Sequence, residues 1–212
     1  LPLGDVVCWN ALDTGIGHHG LDDEALKCFR QMEDEEVHPD NVTYVSVVKS
    51  CAIARSMEIS DKLDVDIRKQ GLVEKDIVLG NALVDMYFKC GAPRKAYKVF
   101  RQLPVRDVVS WNALIAGYTQ HGLGDEALLF FSQMQEEGIF PDTVTYICIL
   151  KTCGLLGSLQ LGKEIDNEVR KRGLFQKAIV LGIALLDIYS KWRESMVCFI
   201  PTRSKTRMNI FG

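Results

Sequence analysis

The sequence predicts an all-α fold, a right-handed solenoid of helix-turn-helix hairpins, and three observations predict it. The first is duplication: residues 5–90 slide onto 107–192 without a gap and are identical at 42 of 86 positions. Unrelated segments would match at only a few. The second is helical spacing within residues 107–142. Trp111, Leu114, Ile115 and Tyr118 form one apolar stripe, and Ala127, Leu128, Phe131 and Met134 form another. Gly122 separates them, and Gly138 and Pro141 close the unit. The third is that the 102-residue period divides into hairpins of 35, 36 and 31 residues. Such a period marks a stack of supersecondary units, each burying its apolar faces on its neighbours. Stacked helix pairs wind into a superhelix whose first helices line one wall, the concave one.

The units follow in order. Residues 6–40 form the first hairpin. Residues 41–76 form the second, with helices near 42–54 and 57–70 and Gly71 as the stop. Residues 77–107 form the third, with helices near 78–88 and 93–103; Pro93 suits a helix start and Gly91 marks the turn. The order then restarts. Residues 108–142, with helices near 109–120 and 123–137, repeat the first unit, and 143–178 repeat the second. Residues 179–192 open a third that does not complete, and 193–212 form a divergent tail matching nothing upstream. The helix expected at 180–191 would lack a partner and expose an apolar face, which predicts low stability or self-association there.

A hydrophobic fraction of 47% suffices for a continuous core. No apolar run of about 18 residues is free of charge, so no membrane span is expected. The opening LPLGDVVCWN has no basic region followed by an apolar one and is not rich in Arg and Ser, so no signal or transit peptide is read there. It also lies almost at a unit boundary, which leaves room for chain before it. The net charge of −3 argues against a non-specific polyanion binder, although a basic groove on one face remains compatible with it. Seven cysteines, an odd number, occur without a C-x-x-C and mostly inside apolar helical patterns; they read as free, reduced core residues. Cys148 and Cys153 have no histidines at ligand spacing, so no metal site is expected.

A hairpin reading V-V-S-W-N-A-L-I-x-G-Y … G … D-E-A-L-x-x-F-x-x-M … G-x-x-P-D resembles the plant pentatricopeptide repeat. The 35–36–31 triplet is similar to the land-plant subclass that alternates P, L and S repeats. Its L signature stands as VTYVSVVKSCA (42–52) and VTYICILKTCG (144–154), and its S signature as NALVDMYFKCG (81–91). The resemblance covers residues 5–192. Tetratricopeptide repeats run at about 34 residues with another pattern, and the 31- and 36-residue units disfavour them.

The resemblance implies single-stranded RNA as the ligand, about one base per repeat. It places the readers at the fifth and last residues of a unit: Asn10 with Asp40, Asn81 with Asp107, and Asn112 with Asp142. An Asn amide offers a donor and an acceptor to a base edge, and a carboxylate accepts from a base N–H or a water. In the family, Asn with Asp implies a pyrimidine, uracil before cytosine. Val7, Val78 and Val109 hold the second position, where a branched apolar surface clamps a base face. The L units carry Val45 and Ile147 at the fifth position, which cannot hydrogen-bond a base, and the sixth unit carries Ile183. The implied ligand pattern is U-N-U-U-N. This reading requires the amides to face the strand and not to turn inward between neighbouring pairs. The family also implies a mitochondrion or chloroplast, a role in RNA maturation such as C-to-U editing, and a partner protein supplying catalysis in trans; DNA and membrane partners are not expected.

Taken as residues alone, Asp40, Asp76, Asp107 and Asp142 each precede a helix and read as N-caps worth about 1 kcal/mol each. The two roles coexist. Lys49, Lys89, Lys151 and Lys191 recur late in first helices, as a solvated row or as phosphate contacts. His18, His19 and His121 read as surface or capping residues. Trp9, Trp111, Tyr87, Tyr118 and Tyr189 have helical spacing and read as core. There is no H-x-E with P-C-x-x-C as in zinc deaminases, no G-x-S-x-G and no P-loop. No enzyme and no cofactor are therefore expected. Two other readings stand beside RNA binding: a scaffold of helical hairpins that docks proteins, and an incomplete gene product.

Overall fold

The computed structural model describes residues 22–174, together with 181–183, 186 and 190. Helix α1 (Asp22–Asp34) is the second helix of the first unit. Four complete hairpins follow. They are α2 (Asn41–Ala54) with α3 (Met57–Lys69), α4 (Ile77–Lys89) with α5 (Pro93–Gln102), α6 (Val108–Gln120) with α7 (Gly124–Glu136), and α8 (Thr143–Leu156) with α9 (Leu159–Lys171). No strand occurs among the described residues. Every boundary read from periodicity in units two to four lies within one residue of these.

The first helices pack in a row, α2 on α4, α4 on α6 and α6 on α8, while each second helix packs on its own first helix. The segment sequences explain the layering. IVLGNALVDMYFK, between α2 and α6 and covered by α5, buries Leu79, Leu83, Val84, Met86, Tyr87 and Phe88 around most of its circumference. PRKAYKVFRQ buries only Ala96, Val99 and Phe100 and leaves a basic outer face. Pro93 at its first turn and its ten residues account for the short 31-residue unit.

Aromatic contacts join successive pairs. Phe100 meets Trp111 edge-on at 4.8 Å and Phe88 meets Tyr118 at 5.2 Å, while within the fourth unit Tyr118 lies 4.9 Å from Phe130. Trp111, Tyr87 and Tyr118 are thus core residues; Trp9 and Tyr189 lie outside the described residues. At Gly117 the α6 backbone runs so close to α4 that an added Cβ would sit 2.2 Å from the Phe88 ring. Within the expected 180–191 helix, Leu181 is buried while Ile183 and Leu186 are exposed, so an apolar face is open at the residues described. No helix among the described residues is long and apolar enough to cross a membrane.

Candidate nucleic-acid interface

Four aspartates start the four described first helices. Asp40 and Asp142 form capping boxes: their Oδ1 atoms accept from the N–H of Thr43 and Thr145 at 2.9 Å, and the threonine hydroxyls accept from the aspartate N–H groups. Asp107 accepts from the Ser110 N–H at 2.8 Å, and Asp76 from the N–H groups of Val78 and Leu79. All four therefore cap a helix, and each also lies at the junction of two units. Immediately inside each cap stands an exposed valine. Val42, Val78, Val109 and Val144 are 58%, 57%, 56% and 50% exposed. Four branched apolar side chains held in water at equivalent places cost hydrophobic free energy and contribute nothing to the core.

The fifth-position amides differ between units. Asn112 is only 8% exposed and turned toward α8. Its Nδ2 donates to Asp142 Oδ1 at 3.0 Å, and its Oδ1 accepts from the Thr145 hydroxyl at 2.6 Å. That hydroxyl also lies 3.0 Å from Asp142 Oδ1; carrying one proton, it favours the shorter contact. One Nδ2 hydrogen and one carbonyl lone pair remain uncommitted. This orientation departs from the outward-facing amide required by the sequence reading, and Thr145 is the physical reason. Burial pushes the Asp142 carboxyl up, but hydrogen bonds from Thr145, Asn112 and Val144 outweigh it and hold the pKa below the usual carboxylate value.

Opposite Asn81 of the third unit the place of Thr145 is taken by Ser110 of the fourth, whose hydroxyl turns to Asp107 Oδ1 at 3.0 Å. Asn81 Oδ1 is left buried and without a partner among the described residues. An unpaired buried carbonyl costs about 1–3 kcal/mol, and a ligand N–H would recover it. Asn10 and Val7 lie outside the described residues; Asp40, their companion, is the cap described above. Sequence reasoning missed Thr145 and Ser110, because nothing in a pattern of spacings says which of two acceptors a hydroxyl will choose.

Lys89 pairs with Asp85 at 2.8 Å, whereas Lys49 and Lys151 are exposed and make no ion pair among the described residues. Lys191 lies outside them. His121 caps the end of α6 through Nδ1 to the Gly117 carbonyl at 2.9 Å, and His18 and His19 are outside the described residues. Cys51, Cys90, Cys148 and Cys153 are free. Burial pushes the Cys51 thiol up to about 12 and Cys153 to about 11, so both behave as inert core groups. Among the described residues no cluster of three His, Cys, Asp or Glu side chains could hold a metal.

Residues 4–53 and 106–154 match the PPR repeat family, and residues 81–108 match the PPR repeat. The chain belongs to the pentatricopeptide repeat family. A pentatricopeptide repeat-containing protein of Arabidopsis thaliana named as mitochondrial is 36% identical over 188 residues, and another named as chloroplastic is 35% identical over 187. Each match takes in 88% of this chain but only 27% and 30% of the relatives, so the chain spans less than a third of their length. Among solved structures, maize PPR10 in complex with an 18-nt psaJ RNA element superposes with a TM-score of 0.76 at 24% identity, over 90% of this chain and 29% of PPR10. The PPR domain of Arabidopsis thaliana protein-only RNase P 1, in complex with tRNA, superposes at 0.63 and 17% identity over 87% of this chain and 96% of its own. These superpositions identify the fold as a pentatricopeptide repeat solenoid.

Proposed function

We propose that the chain binds single-stranded RNA along the wall of its first helices. It would select uracil over cytosine at the units carrying Asn10/Asp40, Asn81/Asp107 and Asn112/Asp142, with Val7, Val78 and Val109 against the base faces. One observation carries the reading: exposed valines recur beside capping aspartates at every described unit junction, always at the same place in the unit. The unsatisfied Asn81 carbonyl supports it, since uracil presents an N3–H donor to such an acceptor. Asn112, buried and turned toward Thr145, would meet a base only through its remaining Nδ2 hydrogen, so the fourth unit leans on Asp142 and the exposed Val109. The RNA-bound state of PPR10 lends the same direction of argument from a related solenoid.

The unequal units suit the P, L and S subclass, with boundaries 6–40, 41–76, 77–107, 108–142, 143–178 and 179–192 followed by the tail 193–212. The helices begin at Asn41, Ile77, Val108 and Thr143, in keeping with four of those boundaries. The cellular role we infer is choice of a site for RNA maturation in a mitochondrion or chloroplast, such as C-to-U editing, with the chemistry supplied by a partner. The organellar names of the relatives support that placement. Each good base-edge contact discriminates by about 1–3 kcal/mol, so three reading units define only about three bases, and further repeats or a partner must supply the rest. Selection of bound sequences from a random RNA pool with the purified chain tests the reading. Enrichment of U-N-U-U-N is expected; recovery of an unbiased pool would overturn it.

A further inference from the structure

The second unit reads as a blank when only its fifth residue, Val45, is considered. Asn41 stands one helical turn earlier on the same face of α2. Its Nδ2 donates to Asp76 Oδ2 at 3.0 Å, the distance also found between Asn112 and Asp142. The other oxygen of Asp76 is held by the N–H groups of Val78 and Leu79, at 2.9 and 3.2 Å, so the carboxylate cannot swing away. The same amide-on-carboxylate arrangement is thus built from a different helical position. Asn41 differs from Asn112 in two respects that matter: it is only half-buried, and its carbonyl has no protein partner among the described residues. Val42, its neighbour, and Val78, two residues beyond Asp76, are both more than half exposed. Val109 and Val144 hold the equivalent places around the Asn112–Asp142 pair.

We propose that Asn41, braced on Asp76, is a specificity-determining residue, and that the second unit selects a nucleobase through it. This rests on the RNA-binding reading above. The braced amide offers an open carbonyl and a second N–H, so it can accept from a base N–H and donate to a base acceptor. The fifth unit is the internal control. Thr143 occupies the place of Asn41 there, and its hydroxyl lacks the amide's paired donor and acceptor; the sequence places Ala178 where Asp76 stands, outside the described residues. The second position of the bound strand is therefore selective while the fifth is not.

The test uses the purified chain and short single-stranded RNAs with uracil at positions one, three and four, varying the base at position two, then at position four, then at position five. The affinities of the best and worst bases at position two are expected to differ by about fivefold or more, the lower end of base-edge discrimination. Asn41→Thr should bring that ratio to within about twofold while leaving the preference at position four intact, and position five should be indifferent throughout. Indifference of the unmodified chain at position two, with position four still selective, overturns this inference and leaves the RNA reading standing. So does a preference at position two that survives Asn41→Thr. Failure to bind any of these RNAs at low salt overturns both. Because the unmodified chain alone decides the first comparison, the result does not depend on the variant folding.

Discussion

At the residue scale, Asp142 joins folding to the candidate function. Its carboxylate caps α8, receives the Asn112 amide and titrates below the usual value. With its folded pKa depressed, the unfolded chain takes up the proton first. The stabilisation is complete above the unfolded value of about 3.9 and is lost as pH falls through the lower folded value. Asp142→Asn should therefore flatten the loss of urea resistance in that acid range and leave neutral-pH stability nearly unchanged, because Asn caps about as well as Asp. An equally steep acid limb in the variant would show that the carboxylate is not the group responsible. The same equivalence separates capping from base choice. Asp40→Asn, Asp107→Asn and Asp142→Asn are expected to keep the melting temperature and to move selected RNA pools from uracil toward cytosine. Unmoved pools would leave these aspartates as caps alone.

At the element scale, the two copies have diverged where helices stop. Helix α8 ends on Gly157 at φ 65°, whereas α2 ends on Arg55 at φ 52°, both left-handed. A side chain there costs about 1–2 kcal/mol, partly offset by the entropy of a glycine in the unfolded chain. Arg55→Gly should thus raise stability by about 1 kcal/mol, read as a higher urea midpoint at unchanged slope. Gly117 presents the opposite case. Helix propensity would favour Ala by about 1 kcal/mol, but the new methyl would meet a Phe88 ring already packed against Tyr118 and His121. Overpacking of that kind costs about 1–3 kcal/mol. Since Phe88 is buried and has little room to withdraw, Gly117→Ala should be net destabilising, and amide-exchange protection should fall first in α4 and α6. A rise in melting temperature would mean that the α4–α6 spacing adjusts freely.

At the scale of the whole molecule, a chain of net charge −3 that binds a polyanion must do so with a few well-placed cations. Lys49 and Lys151 are exposed and make no ion pair among the described residues, while Lys89 is shared with Asp85. Two or three phosphates neutralised on a single strand give a log–log salt slope of about −2. Titration of RNA affinity against salt should return that shallow slope. A slope steeper than about −4 would show that more cations than these meet phosphate. Among the described residues each unit packs chiefly on its neighbours, so base-reading changes in units that are not adjacent should add nearly independently.

The repeat, the helix boundaries and the caps were all legible in the sequence, because each follows from local chemistry. Apolar residues recur at helical spacing, Asp precedes the first turn, and Gly or Pro ends the unit. The exposed valines were legible only as positions in a motif; that they face water became clear once the first helices were stacked. The direction of each amide was decided by tertiary structure alone. Thr145 draws the carbonyl of Asn112 inward, Ser110 leaves that of Asn81 unpaired, and Asn41 reaches Asp76 across 35 residues of sequence. A hydrogen bond depends on which partner a neighbouring unit brings within about 3 Å, and a periodic pattern carries no information at that distance.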